Sequence, residues 1–269
     1  MSGRIVLKAQ IAIAVCALAT GSLLADDGGN ACKDLPSFGD LKAALKSVAP
    51  GANNTANGGL NNNMWASIVN RDGIVCAIAF TGADRASQWP GSRVISAQKA
   101  NTANAFSLTG FAISTANLYA GTQPGGSLFG LQESNPVDTG AAYGGNAQNY
   151  GQQNDPMVGH KIGGINVFGG GLALYNKAGV LVGGLGVSGD TSCTDHIVAW
   201  KTRHALNFDD VPGGISPTHD DNMINDLAPL LPGHTTSASA SGFGHPTCDA
   251  TATAINATLP VKFPVGPNP

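Results

Sequence analysis

Charge is scarce in this chain. Only 12% of its 269 residues are charged, and 14 basic residues against 17 acidic ones leave a net charge of −3. That excludes a highly charged disordered protein. With no basic patch to neutralise phosphates, nucleic acid is excluded as the main partner. Glycine and proline together, 37 and 15 residues, stay below the level that marks low complexity, yet predict long loops. The chain also lacks any apolar run of membrane length beyond its first residues. With 42% hydrophobic residues, it has enough apolar side chains for a core.

The N-terminus is the one apolar exception. Arg4 and Lys8 precede an apolar run over residues 11–24, short for a span, and the pattern is that of a signal peptide over residues 1–25. Cleavage after Ala25 leaves a better apolar region than cleavage after Ala19. Removal of Arg4 and Lys8 takes the net charge to −5. It also removes Cys16, leaving Cys32, Cys76, Cys193 and Cys248. Four cysteines in an exported chain favour two disulfides. Three pairings are open, and Cys193–Cys248 with Cys32–Cys76 is preferred because it staples a loop-rich tail to the main domain. The expected location is periplasmic or secreted.

Apolar spacing predicts a helix over residues 38–48 (FGDLKAALKSV). Two β-rich runs, residues 64–70 and 74–80, flank a D-G turn and predict a hairpin. Ser92 is the expected N-cap of a helix of small residues, the first of two between Arg93 and Ala120, broken near Gly110. Such a surface suits either close packing on a sheet or a flat ligand. Residues 121–164, rich in Gly, Gln and Asn, read as a long functional loop. A second hairpin is predicted over residues 171–187. Asp190 is expected to cap a helix over residues 191–206, and a short helix is expected over residues 221–231. Helices and hairpins in this order specify an α+β domain with an antiparallel sheet. The segments are 26–63 (helix and Asn/Gly-rich loop), 64–207 (the domain) and 208–269 (a Pro/Gly/Ser-rich extension).

Several motifs are incomplete. Residues 184–189 match G-x-G-x-x-G, but the first glycines fall inside the strand and no parallel strand follows. The G-V-S-G-D run around Ser188 has Asp190 where a nucleophile elbow needs its second glycine. Cys193-x-x-His196 is half a metal site without its other half. Asp209, Asp210, His219, Asp220 and Asp221 are donors for a divalent cation, but such clusters are more often only solvated. His160 and Met157 in the long loop are chemically sensible axial ligands for haem iron, and Lys161 is a cation for a propionate. No C-x-x-C-H occurs, which excludes covalent c-type haem.

Two stretches carry a resemblance. VNRDGIVCAIAF with WPGSRVISAQKANTANAFS, and GGGLALYNKAGVLVGGLGVSGDTSCTDHIVAW, resemble the GlcG/HbpS-like family of haem-binding proteins. Residues 99–103 (KANTA) supply its K-A-x-T-A helix motif. Residues 179–189 supply G-x-x-V-G-x-I-G-V-S-G, with an additional glycine and Leu185 for isoleucine. Ala173 stands where many relatives carry proline. The resemblance implies a central antiparallel sheet of about five strands flanked by helices in a PAS- or profilin-like arrangement, assembly into homo-oligomers, and haem binding outside the cytoplasm. It implies Thr102 as a haem contact, with Lys99 on the same helix face. His196 is the fallback iron ligand. The leading expectation is an exported haem-binding protein for scavenging, storage or sensing, with a periplasmic oxidoreductase or sensor as partner. The alternatives are a non-catalytic accessory subunit of a periplasmic oxidation system, and a haem-degrading or small-molecule oxidising enzyme.

Overall fold

A computed structural model describes residues 31–49, 57–228 and 237–266. The expected signal peptide, part of the Asn/Gly-rich loop and residues 229–231 of the expected tail helix lie outside them. The elements are α1 (Phe38–Val48), β1 (Trp65–Asn70), β2 (Val75–Phe80), α2 (Ser92–Phe106), α3 (Tyr119–Thr122), α4 (Thr139–Tyr143), β3 (Gly171–Tyr175), β4 (Leu181–Ser188), α5 (Ser192–Ala205), α6 (Ala250–Asn256) and α7 (Leu259–Lys262). The fold is α+β. Two hairpins join through β1 and β4 into one antiparallel sheet of order β2-β1-β4-β3.

The sheet has four strands rather than five. The free edge of β2 is met by the end of the long loop, where Gly159 N donates to Val75 O and Val75 N to His160 O, both at 2.9 Å. Gly163 and Gly164, at φ 63° and 78°, turn the chain away before a strand can form.

Alternation along the strands sends side chains to two faces. Ile68, Leu172, Leu174, Leu185 and Val187 join Leu41 and Leu45 of α1 and Ile197 and Trp200 of α5 in one core. Trp65, Val69, Ile78 and Phe80 meet Val94, Ala97 and Ala100 of α2 on the other face. There α2 lies almost on the backbone of β4. A Cβ added at Gly186 would overlap the Ser96 carbonyl oxygen, and one at Gly184 the Ala100 carbonyl oxygen. The small residues of α2 are thus spent on the sheet, and no open face is left along them for a flat ligand.

Caps differ from expectation. Gly91 precedes α2, and Thr191, not Asp190, caps α5 by accepting from Thr194 N. The Asp190 carboxylate instead accepts from Leu60 N (2.8 Å) and Asn62 N (2.9 Å), holding the chain that leads into β1.

The extension is no separate tail. Met223, Ala252 and Leu259 enter the core around Trp200. Trp200 Nε1 donates to Phe263 O at 2.9 Å. Arg203 donates two parallel hydrogen bonds to the Asp221 carboxylate, both at 2.7 Å and with both side chains fully buried. No helix forms over residues 221–228. Ile224 and Leu227 instead make single bridges to Gly244 and Ser239. Both preferred disulfides are present, Cys32–Cys76 and Cys193–Cys248, with Cα–Cα distances of 5.6 and 6.0 Å.

Candidate functional site

The K-A-x-T-A motif lies on the second half of α2. Lys99 is buried; its Nζ donates to Asp195 Oδ2 at 2.7 Å and to Val187 O at 3.2 Å, tying α2 to β4 and α5. Burial pushes the Asp195 carboxyl up to about 6 against the pull of Lys99. Thr102 is also fully buried. Its hydroxyl donates to Gln98 O at 2.8 Å and accepts from Asn166 N at 3.0 Å. Both motif side chains are therefore committed inside the protein.

The loop residues do not converge on them. Met157 is fully buried among Trp65, Ile78, Phe80 and Ile162. Its thioether serves the core, which corrects its reading as an axial ligand. His160 and Lys161 are exposed beside the β2 edge. The His160 ring makes no hydrogen bond among the described residues.

His196 belongs to a second buried group. Its Nε2 lies 3.2 Å from both Met223 N and Asn222 Oδ1, and its Nδ1 has no hydrogen-bond partner among the described residues. His245 donates from Nδ1 to Pro246 O at 2.8 Å and accepts at Nε2 from Gly169 N at 3.2 Å. Burial pushes His196 down to about 3 and His245 down to about 4, so both are neutral. Among the described residues, no group of three or more His, Cys, Asp or Glu side chains is placed to hold a metal ion. The tail acids are engaged otherwise: Asp209 pairs with His204 at 2.6 Å, Asp221 with Arg203 at 2.7 Å, and Asp220 accepts from Asn222 N.

At the other end of α2 is a cavity of about 330 Å³, which the sequence reading missed. Trp65, Pro90 and Val94 form apolar walls, with Tyr143 and Tyr150 from the long loop and Arg85 at its border. The loop is anchored here rather than left open. Arg93 Nε donates to Asp155 Oδ2 at 2.8 Å and Nη1 to Ala142 O at 2.8 Å, both beneath the surface. The Arg93 guanidinium also stacks 3.7 Å from the Tyr150 ring centre. The available signal was Tyr143 and Tyr150 within the glycine-rich loop, together with Trp89-Pro90-Gly91 at the helix start.

Among solved structures the chain is similar to ORFY of Klebsiella pneumoniae, at 23% identity over 62% of this chain and 86% of that one, with a TM-score of 0.41. It is also similar to a protein solved as a PduOC:heme complex, at 25% identity over 64% of this chain and 95% of that one, with a TM-score of 0.42. No curated protein matches it. The model of the HbpS-like haem degrading proteins matches residues 41–203, from α1 through α5, and the chain belongs to that family.

Proposed function

We propose that this protein is exported and binds haem, for scavenging, storage or sensing. The supporting observation is the family match over residues 41–203. Two disulfides accord with an oxidising compartment. No helix among the described residues is long and apolar enough to cross a membrane. The residues present fit haem in part. Apolar aromatic walls, a tyrosine oxygen donor at Tyr143 and the cation Arg85 are chemistry a porphyrin with propionates uses, whereas His160 and Lys161 lie apart from them at the β2 edge. Lys99 and Thr102 support the site by fixing α2 and the segment above it. Assembly into a homo-oligomer would use faces the extension leaves open, where Phe129 and Phe168 are exposed, and a periplasmic oxidoreductase or sensor is the proposed protein partner.

Titration of the apo protein with hemin tests this reading. A saturable Soret band is expected, and its absence refutes haem binding. The family's description favours a second reading, haem degradation. Bleaching of the Soret band with turnover on adding a reductant and oxygen separates it from simple binding.

A further inference from the structure

The cavity at the start of α2 is lined by two groups with bonding capacity to spare. Tyr150 is occupied: its hydroxyl lies 2.9 Å from Tyr143 O, and its ring is covered by Arg93. Arg93 is occupied as well, forked onto Asp155. Trp65 points its Nε1 away, donating to Trp89 O at 3.1 Å. Tyr143 is different. It is 60% exposed, and its hydroxyl makes no hydrogen bond among the described residues. Arg85 makes one side-chain bond, to Gln148 Oε1 at 3.2 Å, and no ion pair among the described residues. An exposed tyrosine and an arginine in no direct ion pair, its only electrostatic partner among the described residues being the neighbouring Asp84, stand beside apolar walls, which are features a ligand site uses.

Resting on the haem reading above, we propose that this cavity is where haem binds, with the Tyr143 oxygen as the iron ligand, its proton released to solvent as the iron–oxygen bond forms, and Arg85 as the partner of a propionate. The chemistry required is a flat apolar body, a Lewis-acidic centre for an oxygen donor and an anionic edge. Tyrosine is an established type of axial ligand to haem iron. Arginine matches a carboxylate in two places at once. The volume of about 330 Å³ lies at the small end of ligand cavities, roughly 300–1,000 Å³, so part of a macrocycle is enclosed and its charged edge stays at the mouth. His160 lines no part of this cavity, and Met157, which packs on Trp65, is sealed behind the cavity wall.

Hemin is titrated into the oxidised, full-length mature protein and into Tyr143→Phe, Tyr143→His, Arg85→Gln, Ala147→Trp and His160→Ala. Circular dichroism checks that each is folded. Wild type should show a visible phenolate-to-iron charge-transfer band. Tyr143→Phe should lose that band, shift the Soret maximum and bind about tenfold or more weakly, a loss of the size expected for a charged contact. Tyr143→His should give a nitrogen-ligated spectrum. Arg85→Gln should weaken binding about tenfold with the spectrum kept, Ala147→Trp should weaken it by filling the cavity, and His160→Ala should match wild type. A Tyr143→Phe protein with the wild-type spectrum and Kd overturns the proposal while leaving haem binding intact. A wild-type protein that binds no hemin refutes the functional reading itself.

Discussion

Acid should loosen this protein through two buried histidines, His196 on α5 and His245 in the extension that packs against it. His196 and His245 stay neutral in the fold because burial pushes them down to about 3 and about 4 from 6.5. Once unfolded, both take up a proton below pH 6.5. The unfolded chain then binds more protons than the native one, so stability falls with pH at up to about 1.4 kcal/mol per unit for each histidine. From pH 6.5 to 5 the two together cost at most about 4 kcal/mol. Asp195 acts in the opposite sense. Its carboxyl is raised to about 6, so its protonation returns about 1 kcal/mol between pH 6 and 5. The net loss is about 2–3 kcal/mol, a large part of the stability of an ordinary domain. Urea denaturation of the oxidised protein at pH 6.5 and 5.0, at fixed ionic strength, measures it. His245→Asn should be weaker at neutral pH, because Gly169 N loses its acceptor, but its pH dependence should be shallower by up to about 1.4 kcal/mol per unit. Equal wild-type stability at the two pH values, or an unchanged slope in the variant, refutes the reasoning.

Three further outcomes follow from the packing. Gly186→Ala should destabilise the protein by about 3 kcal/mol or more, read as a lowered Tm, because the new methyl overlaps the Ser96 carbonyl and α2 must lift. Asp221→Ala should cost roughly 3–5 kcal/mol in chemical denaturation by leaving the fully buried Arg203 guanidinium without its counter-ion. Intact mass after export should show a chain starting at Asp26 and about four hydrogens lighter than its reduced form, the count for two disulfides; four free thiols on the native protein would contradict this.

Elements built from local signals were legible in the sequence. Helix α1 follows from its apolar spacing and begins after a capping box at Ser37 and Asp40. The β1–β2 hairpin follows from its D-G turn, where Gly73 sits at φ 77°. What was not legible depends on distant partners. Asp190 precedes a helix and looks like its cap, but the neighbouring Thr191 serves that end, and Asp190 is drawn to backbone donors about 130 residues earlier. Met157 stands in a glycine-rich loop, where a thioether suggests a ligand, yet the aromatic wall it packs on comes from β1 and β2. The extension reads as polar tail because the partners of its anchors are distant in sequence: Asp221 and Asn222 reach α5, Asn222 also accepts from Asn117, and Asn222 and Asn256 tie the extension to itself.

The two sequence motifs that carry the family resemblance turn out to be opposite sides of one contact. Residues 99–103 of α2 and the glycines of β4 are about 80 residues apart, and each is unusual alone: a helix of small side chains, and a strand interior with almost none. Glycine in a strand normally weakens it. Here Gly184 and Gly186 let the α2 backbone descend onto the sheet, with the Ser67 and Ser96 hydroxyls 2.7 Å apart beside them. Lys99 closes the contact by reaching across to Asp195 at the far end of β4. In these motifs the Lys99 and Thr102 side chains are both committed to protein partners that hold the scaffold together. The groups left with spare chemistry, Tyr143 and Arg85, come from loops clustered at the opposite end of α2. On the proposed site, changes in residues 83–91 and 139–150 should alter haem binding, while changes in the two motifs should alter folding.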